Sequence, residues 1–206
     1  MTKDPFNIVV TGVGGQGNVV ASQLIGAVLV DLGYKVTIGE TYGASQRGGS
    51  VMSHVRISRT RQYGPLIPPR CADLVIALEP SEAARVLGQF GNRETVCVVN
   101  TRPVHPVDVI SGHIPYPSLD LMFVRIQSLS RITYFLPATE KAMELGSSVL
   151  ANVILIGGAA GAGLLPINEE LLGKAVRDYM SSDREEINKR AFQLGRDLVK
   201  RLTKAG

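Results

Sequence analysis

The stretch "VVTGVGGQGNVVASQ", residues 9–23, decides the fold. Its glycines at 12, 14 and 17 follow a short β-branched run, and an apolar run over residues 19–32 follows them. Strand, glycine turn and helix in that order form the opening unit of many ligand-binding α/β folds. Glycine lets the backbone turn tightly and approach a ligand, and the helix start presents free N–H groups and the positive end of its dipole. Residues 7–11 therefore read as a buried first strand, Gly33 as a helix C-cap and residues 35–39 as a second strand.

Further along, "SVMSHVRI" (50–57) alternates, with Val51, Val55 and Ile57 on the core face and Met52, His54 and Arg56 on the other. Residues 74–78 and 95–99 read as buried strands, and residues 126–136 contain one more. Pro80 opens a helix that runs to about residue 90, since proline is tolerated in a first helical turn. "YGPLIPPR" (63–70) and residues 102–117 read as irregular connections. After Pro137 the texture turns helical. Thr139 is a candidate cap, "SSVLANVILIGGAAGAGLL" (147–165) is a small-residue apolar helix, and another helix begins near Asn168. A last helix aligns Ile187, Ala191, Leu194, Leu198 and Leu202 in one stripe. The expected architecture is α/β: a Rossmann-like, doubly wound, mostly parallel sheet with helices on both faces and a helical C-terminal segment. It is expected as a single domain over residues 1–206, with the sheet core in 1–136 and a mainly helical part in 137–206.

Of 206 residues, 45% are apolar, which suffices for a packed core. The net charge of +4 sits in short runs near residues 59–61 and 189–201, with no stripe of interleaved aromatics, so no nucleic-acid partner is expected. No apolar run is long and uninterrupted enough to span a bilayer, and residues 1–7 lack the apolar core of a signal peptide; a cytoplasmic location without a membrane partner is expected. Cys71 and Cys97 stand far apart and read as buried reduced thiols. With three histidines they do not make a zinc or iron–sulfur ligand set. His54 reads as structural, and His105 and His113 lie in a proline-rich loop. No nucleophile–base–acid order and no carboxylate pair stands out, so the inventory suits binding and docking better than complete catalysis.

The candidate ligand contacts lie in two loops. The first supplies Gly12, Gly14, Gly15, Gln16, Gly17 and Asn18; the second, "ETYGASQRGGS" (40–50), supplies Tyr42, Gln46, Arg47, Gly48, Gly49 and Ser50. If the strands before them are adjacent and parallel, both loops meet at one carboxyl edge of the sheet. Arg47 offers a fork for phosphate or carboxylate, and Tyr42 and Gln46 offer neutral hydrogen bonds. Two alternatives stand beside a ligand site formed by both loops. Glu40, at the end of the second strand, could take the ribose of NAD(P) or a flavin nucleotide. The loops could also contact only protein, in an assembly subunit.

These residues carry a family resemblance. "TGVGGQGNVVASQLIGAVLVDLGYKV" (11–36), "ETYGASQRGGSVMSHVRI" (40–57) and "PLIPPRCADLVIALEPSEAAR" (65–85) resemble the gamma-type domain of the 2-oxoacid:ferredoxin oxidoreductases, and "ELGSSVLANVILIGGAAGAGLLP" (144–166) and "NKRAFQLGR" (188–196) extend the likeness along the chain. The resemblance implies an enzyme complex that oxidatively decarboxylates a 2-oxo acid, transfers the acyl group to coenzyme A and reduces ferredoxin. Thiamine diphosphate and [4Fe-4S] clusters would sit in a large partner subunit of an α2β2-type hetero-oligomer. This chain would bind no cofactor alone and would be inactive alone. Its domain would help form the coenzyme A side of the site. Arg47 would meet a coenzyme A phosphate or a partner carboxylate, and Gln46 would face the shared active site. Many relatives have a Met-Arg-Gly-Gly second loop; Ser45-Gln46-Arg47-Gly48-Gly49 fits the arylpyruvate (indolepyruvate) branch better. An apolar face left without its partner would let the isolated chain form a homodimer.

Overall fold

The structure, a computed structural model, describes residues 3–42, 49–105, 107–111, 113 and 115–204. Six strands form one sheet: β1 (Phe6–Val13), β2 (Lys35–Tyr42), β3 (Ser50–Ser58), β4 (Leu74–Ala77), β5 (Val96–Asn100) and β6 (Ile132–Leu136), in the order β2-β3-β1-β4-β5-β6. β1, β4, β5 and β6 pair in parallel, whereas β3 is antiparallel to both β1 and β2. The sheet is therefore mixed, and the first two strands are not adjacent as the sequence suggested. Seven residues separate Tyr42 from Ser50, too few for the crossover that a parallel pairing needs. The chain instead turns back as a hairpin and places β3 between β1 and β2.

Alternation along each strand divides the core between two faces. Ile8, Val10, Leu74, Ile76 and Val98 pack on one side; Val9, Val75, Ala77, Cys97 and Val99 pack on the other. The first face is covered by α1 (Asn18–Asp31), α6 (Ala151–Gly161), α7 (Glu169–Tyr179) and α8 (Glu185–Lys204), and the second by α2 (Pro80–Phe90) and α4 (Leu119–Ser128). α3 (Val107–Ile110) and α5 (Ala138–Glu144) are short. Helices on both faces agree with the expected doubly wound α/β design. Both sides of β3 are covered too: Val55 and Ile57 face α1, while Met52 and His54 lie under the proline-rich connection. Among the described residues, no helix is long and apolar enough to cross a membrane.

The α1 start, the Pro80 start and the Asn168 boundary lie where the sequence puts them. Asn168 caps α7 by accepting from Leu171 N at 2.9 Å, and Gly33 follows α1 with φ +82°. Four readings change. α4 falls mostly between the irregular stretch 102–117 and the strand region 126–136, where the sequence reading places no helix, because Leu121 (72% exposed) and Val124 (63%) look outward and blur the apolar face that buries Met122 and Ile126. Thr139 does not cap its helix; its N–H and hydroxyl pair with Asn100. Cys71 is exposed, and only Cys97 is buried. The buried side of α8 is Asn188, Ala191, Phe192, Gly195 and Val199, with Leu202 nearly half exposed.

The last change has a steric cause. α6 is buried over most of its length because α8 covers the side that the sheet does not. The two helices touch through glycines: a Cβ on Gly157 would overlap the carbonyl of Phe192, and one on Gly195 the carbonyl of Ile154. Glycine thus counts as core here, and a stripe drawn from large apolar residues misses it. Overpacking costs about 1–3 kcal/mol, so Gly195→Ala should lower unfolding free energy in urea by about that much or more. Gly88→Ala, in open space on α2, should instead raise it by about 0.5–1 kcal/mol, as expected for Ala over Gly inside a helix.

Candidate functional site

α1 follows β1 onto one face of the sheet and α2 follows β4 onto the other, so the topology switches between these two neighbouring strands. Ligands of open α/β sheets bind beyond the carboxyl ends of the strands at such a point. The loop of residues 14–17 stands there. Gly17 adopts φ +84° and serves as the backbone N-cap of α1, which has no side-chain cap and no acid in its first turn. Gly12 permits close packing, since a Cβ there would meet Gln16 Oε1, Asn18 Oδ1 and Leu78 Cβ within 3.0 Å. The helix start is left with an uncompensated positive dipole end.

The two glycine loops do meet. Gly14 N donates to Gly49 O at 2.9 Å, and Val13 pairs with Ser50 across the β1–β3 ladder. Ser50 Oγ donates to Glu82 Oε2 and accepts from Arg85 Nη2, each at 2.6 Å, which fixes the hairpin end to α2. Gly12, Gly14, Gly15, Gln16, Gly17, Asn18, Gly49 and Ser50 are thus gathered at one edge. The Gln46, Arg47 and Gly48 candidates lie outside the described residues, as does the side chain of Tyr42.

Gln16 staples the loop to the sheet. Its Oε1 accepts from Val13 N at 2.7 Å and its Nε2 donates to Leu78 O at 3.0 Å. The same carbonyl accepts from Asn100 Nδ2 at 3.0 Å, and Asn100 in turn pairs with Thr139. Asn152, the polar residue of the apolar α6, donates to Gly17 O at 3.2 Å. Asn18 is buried, and its Oδ1 is without a hydrogen-bond partner.

Beside this frame lies a cavity of about 340 Å³ lined by Gly15, Gln16, Leu78, Arg102, Val104, Thr139, Met143, Ser148, Val149 and Ala151. The start of α6 borders it, again with no side-chain cap and no first-turn acid. The α1 start and the Arg102 cation make one side favourable to an anion; Val104, Met143 and Val149 make the other apolar. The sequence reading missed Arg102, Asn100 and Asn152. A polar residue inside an otherwise apolar helix was the available signal for Asn152.

Next to Leu78, the fully buried Glu79 caps α2 by accepting from Glu82 N at 2.9 Å, and it also accepts from the Ser81 and Tyr116 hydroxyls. His54 is buried in β3, edge-on to Phe90 at 5.1 Å, and its Nδ1 accepts from Ile67 N at 3.4 Å. Burial pushes the Cys97 thiol well above its ordinary range. Among the described residues, no group of three or more His, Cys, Asp or Glu side chains could hold a metal ion.

A family model described as "Pyruvate ferredoxin/flavodoxin oxidoreductase" matches residues 7–198. The chain is 39% identical over 190 residues to "Indolepyruvate oxidoreductase subunit IorB" of Archaeoglobus fulgidus, covering 92% of this chain and 93% of that one. The gamma subunit of a keto/oxoacid ferredoxin oxidoreductase from Geobacter sulfurreducens superposes with a TM-score of 0.67 at 20% identity, over 95% of this chain and 99% of that one. A 2-oxoglutarate:ferredoxin oxidoreductase from Magnetococcus marinus, solved with 2-oxoglutarate, coenzyme A and succinyl-CoA, superposes with a TM-score of 0.73 at 23% identity over 98% of this chain; the match spans 32% of that longer chain.

The site's neighbourhood makes one pH prediction. Burial, and then the charge of Arg56, hold the His54 imidazole below its ordinary pKa of 6.5. Below that pH the unfolded chain binds a proton that the folded chain refuses, so stability falls with falling pH. Urea unfolding should show this loss beginning near pH 6.5, and His54→Gln should flatten the dependence between pH 7 and pH 5. An unchanged slope would mean that the imidazole titrates freely.

Proposed function

We propose, for a chain that belongs to the pyruvate ferredoxin/flavodoxin oxidoreductase family, that it completes the coenzyme A side of an active site held mainly by another subunit. The chain is a small subunit of a 2-oxoacid:ferredoxin oxidoreductase. The finer reading is that the complex oxidatively decarboxylates an arylpyruvate, indolepyruvate-type substrate to an acyl-CoA and passes the electrons to ferredoxin. A large partner would hold thiamine diphosphate and the [4Fe-4S] clusters, in an α2β2 arrangement, and the small subunit would be inactive by itself. Cys71 on the surface and Cys97 inside β5 do not fit a cluster, and no step of the chemistry is assigned to a cluster in this chain.

The observation that carries the reading is the joining of the two glycine loops beside the cavity. The α1 start, without an acid in its first turn, and the Arg102 guanidinium suit phosphate oxygens. The apolar wall of Val104, Met143 and Val149 suits an uncharged arm. At about 340 Å³ the cavity lies at the small end of the range for ligand pockets. It would take only part of coenzyme A, as expected of a site closed by another chain. In this scheme the small subunit binds and orients the acyl acceptor and moves no proton.

The topology counts against the dinucleotide alternative. In the order that binds NAD, the acidic ribose ligand stands on the strand next to β1. Here β3 intervenes and puts the Glu40 strand two places away, about 10 Å.

Arg47 tests the reading. A charge-assisted hydrogen bond contributes about 1.5–3 kcal/mol, so Arg47→Ala in the reconstituted complex should raise the KM for coenzyme A about tenfold or more. The KM for the 2-oxo acid should stay within about twofold, well under 1 kcal/mol. An unchanged coenzyme A KM would remove Arg47 from the site.

A further inference from the structure

The wall of the cavity that bears Arg102 and Val104 belongs to a segment running from Thr101 to Pro117, between β5 and α4. Among its described residues, the regular structure is the short helix α3. Hydrogen bonds tie both of its ends to the body of the protein. At one end, Thr101 N donates to Leu136 O at 2.9 Å. At the other, the Tyr116 hydroxyl donates to Glu79 Oε1. The Tyr116 ring also packs on His105, with centroids 4.8 Å apart, so one side chain holds both its own end of the segment and the part next to Val104.

Glu79 is a fixed post. It is fully buried, its second oxygen is held by Glu82 N and the Ser81 hydroxyl, and it directly follows Leu78, the residue to which Gln16 and Asn100 are bonded. Burial, and then the bond to Glu79, raise the Tyr116 pKa well above the ordinary tyrosine range, so the phenol stays a donor at neutral pH. Arg102 is itself exposed, and among the described residues its guanidinium has no acidic partner. Its place over the cavity depends on the backbone that bears it.

We propose that Tyr116 is a positioning residue: its hydrogen bond to Glu79 holds the Thr101–Pro117 segment, and with it Arg102, against the cavity, and so sets the affinity for the anionic substrate without touching it. The proposal rests on the reading of this cavity as the coenzyme A side of the site.

Four complexes test it, each reconstituted with the large partner: wild type, Tyr116→Phe, Arg102→Gln and the double variant. Tyr116→Phe keeps the ring on His105 and removes only the hydroxyl. Given the usual effect of a lost hydrogen bond to a charged group, each single variant should raise the coenzyme A KM about tenfold or more with kcat within about twofold. The double variant should be no worse than Arg102→Gln, because the latch acts through that arginine. In the isolated full chain, amide hydrogen exchange across residues 101–117 should quicken about tenfold in Tyr116→Phe and stay unchanged in Arg102→Gln. A raised KM in Arg102→Gln but not in Tyr116→Phe overturns the latch and keeps the cavity assignment. Additive effects, or exchange unchanged by Tyr116→Phe, overturn it likewise. Faster exchange in Tyr116→Phe with an unaltered KM in Arg102→Gln overturns the cavity assignment, and the substrate role of the latch with it.

Discussion

The carbonyl of Leu78, at the end of β4, accepts two side-chain amides, Gln16 from the first glycine loop and Asn100 from the end of β5, both at 3.0 Å. Through Asn100 it reaches Thr139 and the start of α5, and through Gln16 it fixes the turn that begins α1. Both lone pairs of one backbone oxygen are used to hold three loops at one edge of the sheet. In the partly dry interior of such an edge, removing either amide leaves a polar group without its partner. The cavity walls are therefore set by a few side-chain bonds to backbone rather than by the sheet itself.

That arrangement explains what this subunit can contribute. Among the described residues, the cavity and its frame present glycines, amides, hydroxyls and the Arg102 cation, which suit binding and orientation. The buried histidine is spent on the core against Phe90, and the buried acid Glu79 is committed to a helix cap and to Tyr116. On the proposed reading, such a chain would position a substrate for chemistry performed by groups on another chain; what the family match shows is a small subunit in the pyruvate ferredoxin/flavodoxin oxidoreductase family.

Much of the frame was legible because it follows from local rules. The run before Gly12, the proline at residue 80 and the capping Asn168 each mark an element by its own chemistry. The place of β2 was misread because the strands before the two glycine loops were taken as neighbours, whereas β3 returns antiparallel between them. The buried side of α8 was misread because its tightest contacts are made by glycines, which no hydropathy pattern reveals. In the site, the glycine loops were visible as motifs. The partners that fix them were not, since Gln16, Leu78, Asn100 and Thr139 are far apart in the chain and meet only through sheet order. Arg102 stayed hidden in a proline-rich stretch that only the end of β5 brings to the cavity.

The central claim is that the chain works only as one side of a shared site. It is tested most directly by following 2-oxo-acid- and coenzyme-A-dependent ferredoxin reduction with the small subunit alone, the large partner alone and the two mixed. The account predicts activity that rises with added small subunit to a stoichiometric plateau, and none with the small subunit alone. A large partner that turns over alone with an unchanged KM for coenzyme A would contradict it, as would tight NADH binding by the isolated small subunit.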